Sequence, residues 1–513
     1  MPVVPYRTER VENSAQVSRF LEQCLQQVHH EQQTKLACFA VAANPVDLWA
    51  VLDRLSARGQ CHFYFENPAR QQAMLAFAPC DGLSDQWEFG QLARWRPGDR
   101  FSQASQWIEN WRRHTLVANF NRVDWPLTGP YFFCGFPFFA AQPHERSQRQ
   151  APMLPMQTAN PVGSHGSMPE VMLPQVLINR QGQQYRVVFN LRLSPGDRLA
   201  DQLALIQSHL RQLPYLSAED DTLWRLPRQS ARLNKTAIAR QSPTAEDATE
   251  GFRSQVLAAL AEIEAGRLDK VVLAHQQVVK TASAAQLTAA LGNLHRHYPD
   301  CYIFSIGQGR QTFVGASPER LLSISGTQLV SDALAGSAPR GSSPQADAAL
   351  ADELWHSPKE RHEHQMVVAF IAQALSELGL SPKYCTQPGL LKLANIQHLH
   401  TPIRAQVKAQ TPTLKILSKL HPTPAVAGVP GDRACNFIQQ HEPFERSRYA
   451  APLGWIDHQG NCEFVVGIRS ALLETAQATL YAGAGIVAGS DPDREAAEIQ
   501  LKLNALLAAL EAG

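Results

Sequence analysis

Long apolar runs and paired cysteines are what this 513-residue sequence lacks first. No stretch approaches the roughly 20 consecutive apolar residues that a membrane-spanning helix needs, and the first residues hold no apolar segment typical of a secretion signal. The nine cysteines are scattered, odd in number and never spaced as CxxC. This pattern argues against a disulfide framework and against a cysteine-based zinc site. We therefore expect a cytoplasmic protein with reduced thiols and no membrane contact.

An excess of charge of either sign is also missing. Lys and Arg together number 47, and Asp and Glu together number 46. The chain therefore has no general electrostatic attraction for nucleic acid or for an anionic membrane. An anionic ligand would have to be held by a local site. The length allows a large core and two or more domains.

Apolar patterns divide the chain into two regions, residues 1–228 and residues 245–513. Residues 141–170 are rich in Pro, Gln, Ser, Gly and Met, and we interpret them as a surface excursion between two strands. Short strand-like runs and amphipathic helices in both regions predict an α+β fold with large antiparallel sheets and helices on the outer faces. We predict helices at residues 8–34, 101–119, 250–265, 284–297 and 344–378. We predict strands at residues 38–43, 61–67, 72–79, 131–139, 171–180, 184–193, 270–279, 301–306 and 312–317.

The most distinctive stretch is a glycine-containing turn before a predicted helix near residue 490. Gly483 and Gly485 end an apolar run, and glycine lets backbone amides approach a ligand closely because it has no Cβ. Glu495, Glu498 and Lys502 then share one helical face. The helix N-terminus suits a carboxylate, and the glutamates suit Mg²⁺. From these residues alone, a solvated acidic helix is an equally good interpretation.

Four further polar residues lie where apolar neighbours predict core. Lys270 opens the strand-like run KVVLA, Glu319 follows a predicted strand, and Glu363 lies within a predicted helix. Arg469 ends the run EFVVGIR, where alternation would carry it inward, and a buried arginine needs an anionic partner. Taken in isolation, each is better explained structurally: Lys270 as a strand-edge lysine, Glu319 as part of a surface ion pair and Glu363 as part of a solvated i,i+4 pair.

Taken together and in order, these residues resemble those of the chorismate-utilising enzymes. That family includes isochorismate, salicylate, anthranilate and aminodeoxychorismate synthases, and the resemblance is greatest to the isochorismate type of menaquinone or phylloquinone synthesis. It covers about 230 residues of the second region, whereas the first region matches more loosely. The matching stretches are KVVLA (270–274), FVGASPERLL (313–322), LAGSAPRG (334–341), SPKERHEH (357–364), IQHL (396–399), LHPTPAVAG (420–428), EPFERSRYAAPLGW (442–455), FVVGIRSA (464–471) and YAGAGIVAGSDPDREAAEIQLK (481–502).

The resemblance implies an anthranilate synthase component I-like layered fold and an Mg²⁺-dependent isomerisation of chorismate to isochorismate. Lys270 would be the general base that activates water for attack at C2, and it must be neutral to do so. Glu319 would be the general acid that protonates the departing C4 hydroxyl. Glu363 and Glu498 would ligate Mg²⁺, with Glu495 acting nearby through water, and the metal would hold the ring carboxylate.

The same resemblance assigns residues to the rest of the substrate. Arg469 and Tyr449 would bind the enolpyruvyl carboxylate together with the amides around Gly483 and Gly485. Lys502 would add positive charge. The last two implied pocket residues, near the ring, are His398 and Ser337. In family terms, the first region is part of the same layered structure.

Three residues depart from the usual family pattern: His275 after KVVLA, Ser337 in place of Thr, and Ala451 in place of Gly. Other readings remain open, namely a salicylate, anthranilate or aminodeoxychorismate synthase, or a catalytically silent chorismate-binding protein. Lys270 favours water over ammonia as the nucleophile, although an aminodeoxychorismate synthase can also carry a lysine here. We expect no glutaminase subunit, no nucleic-acid partner, and a monomer or weak homo-oligomer.

Overall fold

The computed structural model describes residues 14–79, 100–120, 129–140, 171–215, 245–280, 287–394, 396–408 and 411–511. The predicted excursion at 141–170 lies outside these residues. The helices are α1 Ser14–Glu31, α2 Leu48–Ala57, α3 Arg100–Arg113, α4 Leu199–Arg211, α5 Ala245–Glu264, α6 Leu287–His297, α7 Pro344–His356, α8 Pro358–Glu377, α9 Thr413–Leu420, α10 Gly431–His441 and α11 Pro492–Glu511. A 3-10 turn spans Pro68–Arg70.

The strands alternate with these helices along the chain. In the first region they are β1 Lys35–Ala43, β2 His62–Asn67, β3 Gln72–Pro79, β4 Thr115–Asn119, β5 Tyr131–Gly135, β6 Val171–Met172, β7 Pro174–Gln181 and β8 Gln184–Leu193. In the second region they are β9 Lys270–Lys280, β10 Tyr302–Gln308, β11 Gln311–Ser317, β12 Arg320–Ser325, β13 Gln328–Pro339, β14 Gly389–Lys392, β15 Ile396–Gln406, β16 Gly428–Val429, β17 Pro452–Asp457, β18 Cys462–Val466, β19 Ser470–Leu473 and β20 Gln477–Val487.

Two large sheets form the protein, and each combines strands from both regions. The twelve-stranded sheet has the order β16-β9-β20-β19-β11-β10-β2-β3-β7-β8-β1-β4, and the eight-stranded sheet has the order β14-β15-β13-β12-β18-β17-β5-β6. Neighbouring strands are antiparallel except β1 and β4, which are parallel. The predicted α+β class with large antiparallel sheets is confirmed.

The sheets are joined through the core by aromatic and polar contacts. Phe63 of β2 packs against Phe133 of β5 with ring centroids 5.0 Å apart. Tyr302 of β10 donates a hydrogen bond of 2.5 Å to Glu463 of β18. Helix α8 packs on β13 and β15, whereas α11 packs on β20. Helix α8 therefore lies on the eight-stranded sheet, and α11 lies on the twelve-stranded sheet.

Two predicted helices end earlier than expected. The helix predicted at 101–119 stops at Arg113, and residues Thr115–Asn119 instead form β4, whose pairing with β1 overrides their weak local preference. The helix predicted at 344–378 is divided at Ser357. Pro358 has no N–H to continue the preceding helix, and the Ser357 side chain accepts a hydrogen bond from the Glu360 amide, which caps α8.

The predicted glycine turn is also placed differently. Gly483 and Gly485 lie inside β20, which continues to Val487, and the turn that precedes α11 contains Gly489 with φ +80°. The antiparallel neighbour β9 extends the pairing of β20 through the glycines.

The helices described contain no span long and apolar enough to cross a bilayer. No disulfide joins the cysteines that the structure describes.

Candidate active site

A cavity of about 240 Å³ lies between the two sheets and helices α8 and α11. This volume suits a small organic acid. Eleven of the twelve residues proposed from the sequence line it: Glu319, Ser337, Glu363, His398, Tyr449, Arg469, Gly483, Gly485, Glu495, Glu498 and Lys502. The twelfth, Lys270, contacts the cavity wall through Glu363. Residues spread over more than 230 positions of sequence are thus brought to one site.

Lys270 is the first residue of β9 and is fully buried. Its Nζ donates a hydrogen bond of 2.8 Å to Oε1 of Glu363 on helix α8. Strand β9 is held between β16 and β20, which fixes where the lysine enters the site. The strand-edge interpretation of Lys270 is therefore wrong, because the ammonium does not reach solvent.

Glu319 lies in the short connection between β11 and β12 and is 4% exposed. Burial raises the pKa of its carboxyl to about 8; Asp332 adds to this rise and Lys270 opposes it. The carboxyl therefore holds its proton at neutral pH. A protonated carboxylic acid beside a cavity is suited to donate that proton to a leaving group.

Four carboxylates from two helices face the cavity. Glu360 and Glu363 come from α8, and Glu495 and Glu498 come from α11. Burial and then the nearby Glu363 raise the pKa of Glu360, and burial with a smaller contribution from Glu498 raises that of Glu495. Burial acts in the same direction on Glu363, but Lys270, Lys359 and Lys502 together outweigh it and lower the Glu363 pKa. A cation between the helices would relieve this mutual repulsion.

The donor set fits a hard divalent cation such as Mg²⁺, which prefers carboxylate oxygens and retains several waters. In the described part of the chain, no three acidic, His or Cys side chains are close enough to hold an ion unaided. Glu363 is paired with Lys270, and Glu498 Oε1 lies 2.7 Å from Nζ of Lys502. A cation held by Glu363 and Glu498 would therefore need a carboxylate of the bound molecule and water to complete its shell.

Arg469 is a cation that lines the cavity. Its Nη2 lies 3.2 Å from Nε2 of His398, its Nη1 lies 3.8 Å from Sγ of Cys301, and its guanidinium is 5.5 Å from the ring centre of Tyr298. Its backbone has the left-handed φ of +49°, which an arginine rarely adopts. These partners are neutral, so an anionic ligand would supply the missing counter-charge.

Tyr449 also lines the cavity, next to Gly483. Its ring stacks on Tyr481 with centroids 5.2 Å apart and an interplanar angle of 20°. A Cβ added to Gly483 would lie 2.8 Å from the Tyr449 hydroxyl oxygen, so only glycine allows this approach. Burial raises the Tyr449 pKa, so the phenol is neutral and can donate a hydrogen bond to a carboxylate.

Lys502 has partners within the protein. Besides Glu498, its Nζ donates a hydrogen bond of 2.8 Å to the carbonyl oxygen of Gly483. The lysine therefore joins α11 to β20 and contributes positive charge at the cavity wall from a fixed position.

Two features of the site were missed from the sequence. Glu360 lines the cavity one turn before Glu363, and the motif SPKERHEH contains the spacing that could have identified it. Arg446 is 1% exposed, pairs with Glu442 at 2.8 Å through Nε, and donates to the carbonyl oxygen of Val272 on β9. The sequence shows only an ordinary ion pair with Glu442 four residues away, because the backbone acceptors on Val426 and Val272 are distant in sequence. Of the three departures from the family pattern, only Ser337 lines the cavity.

Comparison with known proteins identifies the family of this chain. The family model described as "Chorismate binding enzyme" matches residues 20–511, and the chain belongs to this family of enzymes. The chain is 38% identical over 342 residues to the salicylate biosynthesis isochorismate synthase of Pseudomonas aeruginosa. The match covers 67% of this chain and 69% of that protein. It is 40% identical over 252 residues to isochorismate synthase MenF of Bacillus subtilis, covering 49% of this chain and 54% of that protein.

Solved structures share the fold. The menaquinone-specific isochorismate synthase MenF of Escherichia coli superposes with a TM-score of 0.69 at 24% identity, covering 96% of this chain and 99% of that one. Anthranilate synthase component I of Streptococcus pneumoniae superposes with a TM-score of 0.58 at 18% identity, covering 92% of each chain. The predicted chorismate-binding layered fold is confirmed.

Proposed function

We propose that this protein is an isochorismate synthase that converts chorismate to isochorismate in the cavity between its two sheets. The observation that carries the proposal is the juxtaposition at one cavity of buried Lys270 with Glu319, a carboxyl that keeps its proton at neutral pH. A base and an acid are what the reaction needs, since water must lose a proton at C2 and the C4 hydroxyl must gain one. The isochorismate synthases among the relatives support the same assignment.

Each carboxylate of the substrate would have suitable binding partners among the residues of the cavity. Chorismate is a dianion, with one carboxylate on the ring and one on the enolpyruvyl group. Arg469 and Tyr449 would bind the enolpyruvyl carboxylate, because the arginine has only neutral partners and the tyrosine keeps its proton. The backbone around Gly483 and Gly485 would lie against the same group. The ring carboxylate would then face the acidic side chains of α8 and α11.

In the reaction, Lys270 would take a proton from a water molecule while the oxygen of that water bonds to C2 of chorismate. The ring double bonds shift, the C4–O bond breaks, and Glu319 gives its proton to the departing hydroxyl, which leaves as water. The atoms balance, with one water consumed and one released. The lysine must first be neutral, so its pairing with Glu363 has to be weakened in the substrate complex.

Glu363 and Glu498 would hold Mg²⁺, with Glu495 acting through water. When bound, the metal would neutralise the ring carboxylate and so allow a dianion to enter a cavity lined by four glutamates. Tyr449 and Arg469 line the same cavity and would take the other carboxylate of the substrate.

The decisive experiment is product identification with the purified protein, chorismate and Mg²⁺. We expect isochorismate as the main product, little or no salicylate or pyruvate, and no amination when ammonium is present. Pyruvate released in proportion to chorismate consumed would move the protein to the salicylate synthases. Anthranilate or aminodeoxychorismate would overturn water as the nucleophile. Chorismate binding without turnover would indicate a silent binding protein.

We further propose that the enzyme acts in the cytoplasm, as a monomer or weak homo-oligomer and without a glutaminase subunit. Water as the nucleophile removes the need for an ammonia-producing partner. The names of the relatives connect them with salicylate and menaquinone synthesis. Quinone synthesis is the role we favour for the product of this enzyme.

A further inference from the structure

A bulge in strand β13 places Ser337 against His398. The register between β13 and β15 shifts between Ala335 and Ser337, so that Ser337 pairs directly with His398. Gly336 supplies the extra residue and has a left-handed φ of +74°, which glycine adopts at little cost. Bulges beside active sites redirect side chains in this way. Glu360 holds the bulge from below, because its Oε2 accepts a hydrogen bond of 3.1 Å from the Ser337 amide.

The hydrogen bonds of His398 fix the position of its proton. Nε2 lies 3.2 Å from Nη2 of Arg469, and Nδ1 lies 2.9 Å from Oγ of Ser337. A guanidinium carries donors only, so Nε2 must be the acceptor and the ring proton must be on Nδ1. The backbone of Gly336 also hydrogen bonds the ring. Burial, followed by the charges of Arg469 and Lys502, lowers the pKa of His398 to about 3.

The arginine depends on this acceptor for its orientation. Its other neighbours are the thiol of Cys301 and the ring of Tyr298, which hold a guanidinium only weakly. Among the described residues, His398 is therefore the strongest acceptor in contact with the Arg469 guanidinium. In a protonated imidazole, or in the Nε2–H tautomer, His398 would point an N–H group at the N–H groups of Arg469. These two donors would repel each other, and the guanidinium would move away.

We propose that His398 is a positioning residue for Arg469: a neutral Nδ1–H imidazole, held in that tautomer by the bulge at Ser337, whose Nε2 aims the guanidinium at the ligand carboxylate. The identity of that ligand as chorismate rests on the proposed function. A series of hydrogen bonds also links helix α8 to Arg469. It runs from Glu360 through Ser337 and His398 to the guanidinium.

The tautomer is tested directly by ¹⁵N NMR of protein with selectively labelled histidine. The His398 resonances are assigned as those absent from His398→Gln. We expect a protonated Nδ1, an unprotonated Nε2, and no change in either between pH 5 and 8. In Ser337→Ala, we expect the tautomer preference of His398 to weaken. A wild-type ring that is protonated on Nε2, or that titrates in this range, would overturn the proposal.

Substitutions test the consequence for binding. Glutamine can place its amide oxygen near the position of Nε2, whereas alanine cannot. We expect His398→Ala to weaken chorismate binding roughly ten- to a hundredfold, the range for losing a hydrogen bond to a charged group, and His398→Gln to stay within about fivefold of wild type. His30→Ala, at an exposed histidine of α1, is the matched control and should leave affinity unchanged.

Equal weakening by the alanine and glutamine variants, with folding intact by circular dichroism, would show that acceptance by Nε2 does not matter. Binding is measured by calorimetry, so the result is independent of which product is formed. If the wild-type protein did not bind chorismate, the proposed function would fail, whereas the NMR result would still decide whether His398 is the neutral Nδ1–H acceptor.

Discussion

At the scale of single residues, Lys270 has an unusual position for a lysine. It is fully buried, and its ammonium is held by a carboxylate from a helix 93 positions away in sequence. Burying a charge is costly unless it is paired and hydrogen-bonded, so the fold maintains this lysine at a specific point. A catalytic base provides a reason for that cost that a structural ion pair does not.

We predict that Lys270→Ala lowers kcat by about two to four orders of magnitude, the usual contribution of a general base, with chorismate binding largely kept. Steady-state kinetics and calorimetry measure the two effects separately. Lys280→Ala, at the exposed end of the same strand, is the control and should behave as wild type. A Lys270→Ala enzyme with wild-type kcat would remove the lysine from the mechanism.

The proton on Glu319 predicts a pH dependence. Its pKa of about 8 is above the ordinary carboxyl value, so the acid is ready below pH 8 and is lost as pH rises through 8. We therefore expect the kcat/KM of the wild-type enzyme, which reports ionisations of the free enzyme, to fall on the alkaline side near pH 8. Glu319→Gln should reduce kcat strongly and abolish this alkaline decrease. If the residual activity of Glu319→Gln showed the same decrease at alkaline pH, the decrease would belong to the titration of another group.

Residue types were easier to predict from the sequence than their interactions. Lys270, Glu319 and Arg469 could be identified because charged side chains interrupt apolar patterns there. The role of Lys502 as a link between Glu498 and the Gly483 carbonyl could not, because it depends on how α11 packs on β20. Arg446 was missed for the same reason.

At the scale of elements, the site depends on where two helices and one strand meet. Helix α8 begins at Pro358 because Ser357 caps it, and this start sets the phase that turns Glu360 and Glu363 into the cavity. The periodicity of residues 344–378 is continuous through this point, so the sequence pattern predicted one helix where the structure has two. The proline was the available signal.

The metal-binding role predicts a joint dependence on α8 and α11. Replacing Glu363 or Glu498 by Gln removes one ligand charge, so we expect the Mg²⁺ concentration for half-maximal activity to rise steeply and chorismate binding to weaken. Titrating Mg²⁺ in the kinetic assay, with calorimetry of Mg²⁺ binding, measures this. Glu377→Gln, at the exposed end of α8, is the control. Wild-type-like turnover in EDTA would contradict the assignment.

Strand β20 makes a separate prediction. A Cβ at Gly485 would lie 3.2 Å from both Oε1 of Glu363 and Cε of Lys270, so Gly485→Ala should displace this pair. We expect kcat/KM to fall, although by less than the roughly hundredfold that a shift of about 1 Å in a catalytic group can cost, because these contacts require a displacement of only a few tenths of an ångström. Gly251→Ala, on helix α5 with nothing within 4 Å of the new Cβ, is the control. Unchanged kinetics in Gly485→Ala would mean that the strand can accommodate the methyl group.

At the scale of the whole molecule, the residues of the site all come from the second region of the chain, whereas both sheets around it combine strands from the two regions. Six of the twelve strands of the larger sheet, β1–β4, β7 and β8, come from the first region. The two-sheet class could be predicted from strand-like runs and the family resemblance. The strand order could not, because pairings such as β10 with β2 join segments more than 230 residues apart.

This shared sheet predicts that residues 245–513 do not form a working enzyme alone. Without the first region, β10 loses β2 and β17 loses β5, which leaves two unpaired edges and exposes apolar faces, including Phe304 and Trp455. Exposed edge strands of this kind favour aggregation. We expect a fragment beginning near residue 245 to be insoluble or inactive, whereas the full chain is soluble under the same expression conditions. Co-expression with residues 1–228 is the informative control, since the missing strands would be supplied in trans. A folded, fully active fragment, judged by circular dichroism and isochorismate formation, would show that the second region is independent of the first.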